Sequence, residues 1–264
     1  MNRIDQKFKD LKKKKKKAFI AFITAGDPDL KTTEALVLAF EKAGVDIVEL
    51  GVPFSDPMAD GPTIQAASQR ALDRHINLEK ILQLVKRLRT KTEIPIALMT
   101  YYNPVFHYGD ARFVAKAKQS GVDGIIVPDL PPEEAARLIK EARSNDIASI
   151  FFLAPTTKQS RVAKIANAST GFIYYVSITG VTGANAAVPN TVRQKIKEAK
   201  QYTQKPICVG FGVSTPAQVK AVAQSADGVI VGSAIINKIQ QHAGKKTLVP
   251  LVAGYVNTLV KSLR

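Results

Sequence analysis

From residue 18 to the end of the chain, short apolar runs of strand length alternate with segments in which apolar residues recur at helical spacing. The runs at 18–24, 46–50, 95–100, 124–127, 148–153, 171–176, 206–211 and 228–231 predict eight strands, each nearly continuous in Val, Ile, Leu, Phe or Ala. Between them lie amphipathic stretches such as 33–42, 78–88, 132–142 and 216–223, several opening on Thr, Ser or Pro as helices do. Unbroken apolar strands, each followed by a helix, predict parallel strands covered by helices. Ahead of this series, Ile4, Phe8 and Leu11 share one face of an additional N-terminal helix.

A weak repeat points the same way. Ala43-Gly44-Val45-Asp46, Ser120-Gly121-Val122-Asp123 and Ser225-Ala226-Asp227 each combine a helix end, a turn and the entry to a strand. The first strand is followed by Ala25-Gly26-Asp27-Pro28 and lacks the glycine-rich turn of an open dinucleotide-binding sheet. A closed (β/α)8 barrel with an extra N-terminal helix, one domain over 1–264, is therefore expected, and 264 residues suit a fold that needs roughly 250.

Composition narrows the class. No apolar run approaches the ~18 residues of a membrane span, and the lysine-rich start lacks a signal peptide's apolar stretch, so a soluble, cytoplasmic protein is expected. Cys208, the single cysteine, lies within an apolar run and reads as core. The formal charge of +16 raises a polyanion partner as an alternative, but it is concentrated only in Lys12 to Lys17, where cations favour a helix C-terminus and no aromatic residue offers a stacking platform.

In a barrel the chemistry belongs at the C-terminal ends of the strands. Strand alternation puts Glu49 on the face of Ile47 and opposite Val48 and Leu50, which predicts a carboxyl pointing into the barrel near its mouth. Partial desolvation there raises its pKa toward neutrality, as a general acid requires. The competing reading, a glutamate paired with a buried cation, finds no Lys or Arg in any predicted strand. Asp60, in a following loop stiffened by proline, supplies a second acid, and equally fits a turn or helix cap. The segments 179–185, 210–214 and 231–234 bring small residues, and with them backbone N–H groups, to the rim after the last three strands, where barrels commonly hold phosphate. His75, His107 and His242 show no ligand spacing, and no lysine sits at a strand end, so neither a metal site nor a Schiff base is expected.

The run from Glu49 to Gln65, ELGVPFSDPMADGPTIQ, with Thr24-Ala25-Gly26-Asp27-Pro28, Tyr102-Asn103-Pro104, Gly180-Val181-Thr182-Gly183 and Val209-Gly210-Phe211-Gly212-Val213-Ser214, closely resembles the α subunit of tryptophan synthase along essentially the whole chain. The resemblance implies a lyase of L-tryptophan biosynthesis that cleaves indole-3-glycerol phosphate to indole and glyceraldehyde 3-phosphate. It implies Glu49 and Asp60 as catalytic residues, Gly183, Gly212, Gly232 and Ser233 at the phosphate, and an indole pocket of Phe22, Met99, Ile126, Tyr174 and Phe211. Thr182 would meet Asp60 on loop closure. A β subunit would bind at Asp56 and Asn103 in an α2β2 complex, with pyridoxal phosphate in that partner and no cofactor in this chain. The rival readings are another phosphate-binding barrel, such as an isomerase or decarboxylase, a basic nucleic-acid-binding protein, and a silent partner that only activates β.

Overall fold

The computed structural model describes residues 2–176, 190–210 and 212–264. Its parallel strands are β1 (Ala18–Thr24), β2 (Ile47–Gly51), β3 (Ile96–Met99), β4 (Gly124–Ile126), β5 (Ala148–Ile150), β6 (Phe152–Leu153), β7 (Ile173–Val176), β8 (Ile207–Gly210) and β9 (Gly228–Val231). Helices α1 (Arg3–Lys13), α2 (Leu30–Lys42), α3 (Pro62–Leu72), α4 (Leu78–Leu88), α5 (Tyr102–Tyr108) and α6 (Asp110–Ser120) come from the first half of the chain. The second half contributes α7 (Ala136–Ser144), α8 (Gln159–Ala168), α9 (Asn190–Lys200), α10 (Pro216–Ala223), α11 (Ser233–Gln241) and α12 (Leu248–Lys261).

The strands are ordered β5-β4-β3-β2-β1-β9-β8-β7-β6. The predicted fifth strand, 148–153, is interrupted at Phe151. Its first part pairs with β4, Ile126 opposite Ile150, and its second with β7, Phe152 opposite Tyr174. One chain segment thus bridges both ends of the sheet and brings the barrel to near closure. Each of the eight predicted strands is present, most trimmed by one or two residues at their ends.

Strand alternation divides the core in two. Val48 and Leu50 of β2 pack outward among the helix-facing residues, while Ile47 points inward with Ala18, Ile20, Ala97, Ile126 and Cys208. The face of helix α1 formed by Ile4, Phe8 and Leu11 joins this inner cluster and plugs the barrel at the N-terminal ends of its strands. Asn2 fastens the plug: its side chain caps Ile4 N–H at 2.8 Å and donates to the carbonyls of Asp123 and Asp146.

Helix α1 ends in a Schellman turn, with Lys16 N–H on Leu11 O and Lys15 N–H on Lys12 O. Lys15 holds the left-handed position at φ 54°, where a residue other than glycine costs about 1 kcal/mol. The aspartates of the sequence repeat have a more exact role than turning the chain. Asp46, Asp123 and Asp227 accept an N–H at the start of the neighbouring strand, from Phe19, Ile96 and Ile207, each at 2.9 Å.

Helix bounds differ from expectation where caps were hidden. Helix α2 starts three residues before 33 because Asp29 accepts the Thr32 N–H at 2.7 Å. Helix α7 starts at Ala136 rather than 132, after a turn over Pro131–Glu134 closed by a backbone hydrogen bond of 3.0 Å.

Candidate active site

Register sets the site. Phe22 on β1 stands opposite Glu49 on β2, and Glu49 opposite Ala97 on β3, so the Glu49 carboxyl faces the barrel axis near the strand C-termini. It is fully buried, and among the described residues neither oxygen has a hydrogen-bond partner. Burial, and then the nearby Asp60 charge, push its pKa from 4.5 up to about 8. The ion-pair reading of Glu49 is thereby set aside.

Asp60 enters from the loop between β2 and α3. Its backbone N–H closes a turn on Pro57 O at 3.0 Å, and Gly61 and Pro62 start the helix behind it. Burial lifts the Asp60 carboxyl to about 6, against a hydrogen bond from Tyr101 that opposes the rise. The Tyr101 hydroxyl also accepts the Ala59 N–H at 2.9 Å, and its ring stacks on Phe54 at 5.1 Å. Tyr101 therefore holds the loop that carries Asp60. Sequence reasoning missed it, although its position two residues past the end of β3 marked it as a mouth residue.

Asp60 borders a cavity of about 880 Å³. Phe22, Met99 and Tyr174 line it, together with Ile64, Phe152 and Val176, which were not singled out from sequence. Phe152 and Tyr174 are packed 4.8 Å apart. Ile126 is fully buried in the inner cluster and is not part of this lining. Two glycines make room for the rings. A Cβ on Gly51 would lie 2.7 Å from the Phe22 ring, and one on Gly210 would lie 2.8 Å from the Tyr174 hydroxyl.

Gly212, Gly232 and Ser233 also line the cavity. Gly212 adopts φ 48°, and Ser233 is the first residue of α11, whose free N–H groups carry positive potential toward the cavity. Gly183, Thr182 and Phe211 lie outside the described residues. Asp56 and Asn103 are exposed, as are their neighbours Met58 and Phe106, at 93% and 72%. Among the described residues no group of three or more His, Cys, Asp or Glu is placed to hold a metal, and no helix is long and apolar enough to cross a membrane.

The arrangement is a mainly apolar cavity bordered by Asp60 and by the N-terminus of α11, which favours anions, with the buried Glu49 carboxyl close to Asp60. Residues 8–259 match the family model for the tryptophan synthase alpha chain. The tryptophan synthase alpha chain of Geobacter sp. (strain M21) is 53% identical, over 98% of this chain and 97% of that one. That of Geotalea daltonii is 51% identical, over 100% and 98%. The crystal structure of tryptophan synthase subunit alpha from Legionella pneumophila str. Paris is similar with a TM-score of 0.92 and 38% identity, over 100% of this chain and 98% of that one. Tryptophan synthase from M. tuberculosis, in an aminoacrylate-bound form, gives 0.89 and 30%, with both chains fully covered. With motif, barrel and relatives in agreement along its length, this chain belongs to the tryptophan synthase alpha chain family.

Proposed function

We propose that the chain cleaves indole-3-glycerol phosphate to indole and glyceraldehyde 3-phosphate, with Glu49 and Asp60 as its catalytic residues. The observation that carries this reading is the buried Glu49 carboxyl, which has no hydrogen-bond partner among the described residues and lies close to Asp60 at the border of the cavity. With pKa values held to about 8 and about 6, neutral pH leaves Glu49 mostly protonated and Asp60 mostly ionised.

The chemistry follows from that division. Glu49 gives its proton to the ring carbon that bears the glycerol side chain, and the ring nitrogen becomes cationic. Asp60, facing that nitrogen, stabilises the charge. The bond between ring and side chain then breaks, its electron pair returning to the ring, as the adjacent hydroxyl loses its proton and becomes the aldehyde. The Glu49 carboxylate left by the first step sits where burial penalises charge, so it takes up that proton and is restored.

Phe22, Met99 and Tyr174 would sandwich the flat ring, with Ile126 beneath and Phe211 completing the pocket. Gly183, Gly212, Gly232 and Ser233 would hold the phosphate through backbone N–H groups and the α11 terminus. Thr182 would meet Asp60 when the mouth loops close and exclude water. The reaction needs no cofactor in this chain, which works as one domain in the cytoplasm.

The indole passes to a β subunit that carries pyridoxal phosphate, in an α2β2 complex. Asp56 and Asn103 would contact this partner, and the neighbouring exposure of Met58 and Phe106 suits such an interface. The test is indole release from indole-3-glycerol phosphate by the purified chain, with and without its β subunit. Slow release that rises strongly with β is the expected result. No release in either case from folded protein would send the assignment to another phosphate-binding barrel chemistry.

A further inference from the structure

The basic block at the chain start is not absorbed by this reaction. Two adjoining hollows, of about 440 and 730 Å³, share Phe8, Lys12, Gln204 and Pro206 in their walls. Pro206, Asp227 and Gly171 immediately precede strands β8, β9 and β7 or lie just before them, so the hollows open at the end of the barrel opposite the active site. Two stretches far apart in sequence line them with positive charge: Lys12, Lys15, Lys16 and Lys17 from one, Lys200 and Lys205 from the other.

The carboxylates in these walls are Asp5 and Asp227, and Asp227 is already engaged by Lys200 and, at 3.9 Å, by Lys17. Lys12, Lys15 and Lys16 are exposed and, among the described residues, have no carboxylate within ion-pair distance. Lys15 moreover holds the left-handed position of the α1 terminus, where glycine would relieve strain, and so keeps a cation at the groove at a conformational cost.

We propose that this groove binds linear inorganic polyphosphate. The lining contains lysines and no arginine, which suits a chain of point charges rather than the bidentate capture of one phosphate or carboxylate. Tyr202 is its one substantially exposed ring, so successive bases of a nucleic acid find no series of rings to stack on. The concave shape disfavours a membrane surface.

The test is titration of the full chain with medium-length inorganic polyphosphate at about 0.1 M salt, where weak surface attraction is largely screened. Lys12→Ala/Lys15→Gly/Lys16→Ala is the groove variant, in which glycine also suits the turn. Lys13→Ala/Lys14→Ala/Lys261→Ala removes as much charge from outside the groove. Saturable binding that weakens about ten-fold or more in the groove variant and no more than about two-fold in the control is expected, with a steep salt dependence. Absence of saturable binding, equal losses in both variants, or equally tight binding of a single-stranded oligouridylate with the same number of phosphates would overturn the proposal.

Discussion

Arg70 grips Asp27 through two parallel hydrogen bonds, Nε to Oδ1 at 2.8 Å and Nη2 to Oδ2 at 2.7 Å. Asp27 is almost wholly buried, so the pair ties α3, which starts two residues after Asp60, to the loop that follows β1. Helix α3 also packs on α11, at whose N-terminus Ser233 lies. One ion pair therefore fixes the relative placement of the acid loop and the proposed phosphate site.

Arg70→Ala leaves the Asp27 carboxylate buried and unpaired. We expect a loss of about 2 kcal/mol in stability, less than for a fully buried pair because Arg70 is about a third exposed. We also expect a fall of about ten-fold in kcat, larger than any change in KM, since misplacement affects the reacting geometry more than binding. Lysine offers a point charge in place of the planar fork, so Arg70→Lys should recover only part of each. Denaturant unfolding and steady-state kinetics on the same preparations check this.

The two raised carboxyls give the reaction a defined pH range. The proposed cleavage needs Glu49 protonated and Asp60 ionised, so the rate should fall as pH rises through about 8 and as it falls through about 6. Glu49→Gln removes one of these groups and adds a stability signature. Between 4.5 and about 8 the native state retains a proton on Glu49 that the unfolded chain releases, so wild-type stability declines as pH rises through this window. The stability of Glu49→Gln relative to wild type should therefore rise by about 1.4 kcal/mol per pH unit within that window and level off above it. Urea unfolding at several pH values measures the slope, and a pH-independent difference would show that Glu49 is not held protonated.

Gly51 has a steric rather than a conformational duty. A methyl group there would meet the Phe22 ring at 2.7 Å in a closely packed wall. Gly51→Ala should displace Phe22 into the cavity and raise KM for indole-3-glycerol phosphate about ten-fold, at a stability cost of about 1 to 3 kcal/mol. Kinetics compared with thermal melting separate the two effects.

At the opposite end of the barrel, Asp123 accepts the Ile96 N–H at 2.9 Å, Arg89 Nη2 at 2.7 Å and Arg3 Nη1 at 3.1 Å. Asp123→Ala should cost about 3 kcal/mol by leaving a buried N–H and a mostly buried guanidinium unpaired. Variants that remain folded should keep wild-type KM, because this cluster lies on the face that serves stability.

Much of this was legible in the sequence because it rests on period and sign. Alternation put Glu49 inside with Ile47, and the absence of strand cations removed its competing role. The repeated Asp at strand entry was visible as a pattern, but its hydrogen bond to the next strand depends on register, which the pattern does not carry. For the same reason the Arg70–Asp27 pair and the support of the Asp60 loop by Tyr101 were hidden: each joins residues more than forty positions apart. The convergence of Lys200 and Lys205 on the N-terminal block was equally invisible, since each reads alone as an ordinary surface cation. Ile126, implied in the pocket by resemblance, stands beside Met99 in the register of β3 and β4 but does not itself border the cavity.

In the proposed reaction a protonated Glu49 delivers the proton that starts carbon–carbon cleavage. Single-turnover release of indole from saturating indole-3-glycerol phosphate at pH 7, by wild type and by Glu49→Gln, tests it most directly. A loss of about a thousand-fold in the cleavage step is expected, within the usual range for a general acid, while substrate binding changes little. A folded Glu49→Gln protein that releases indole near the wild-type rate would contradict it.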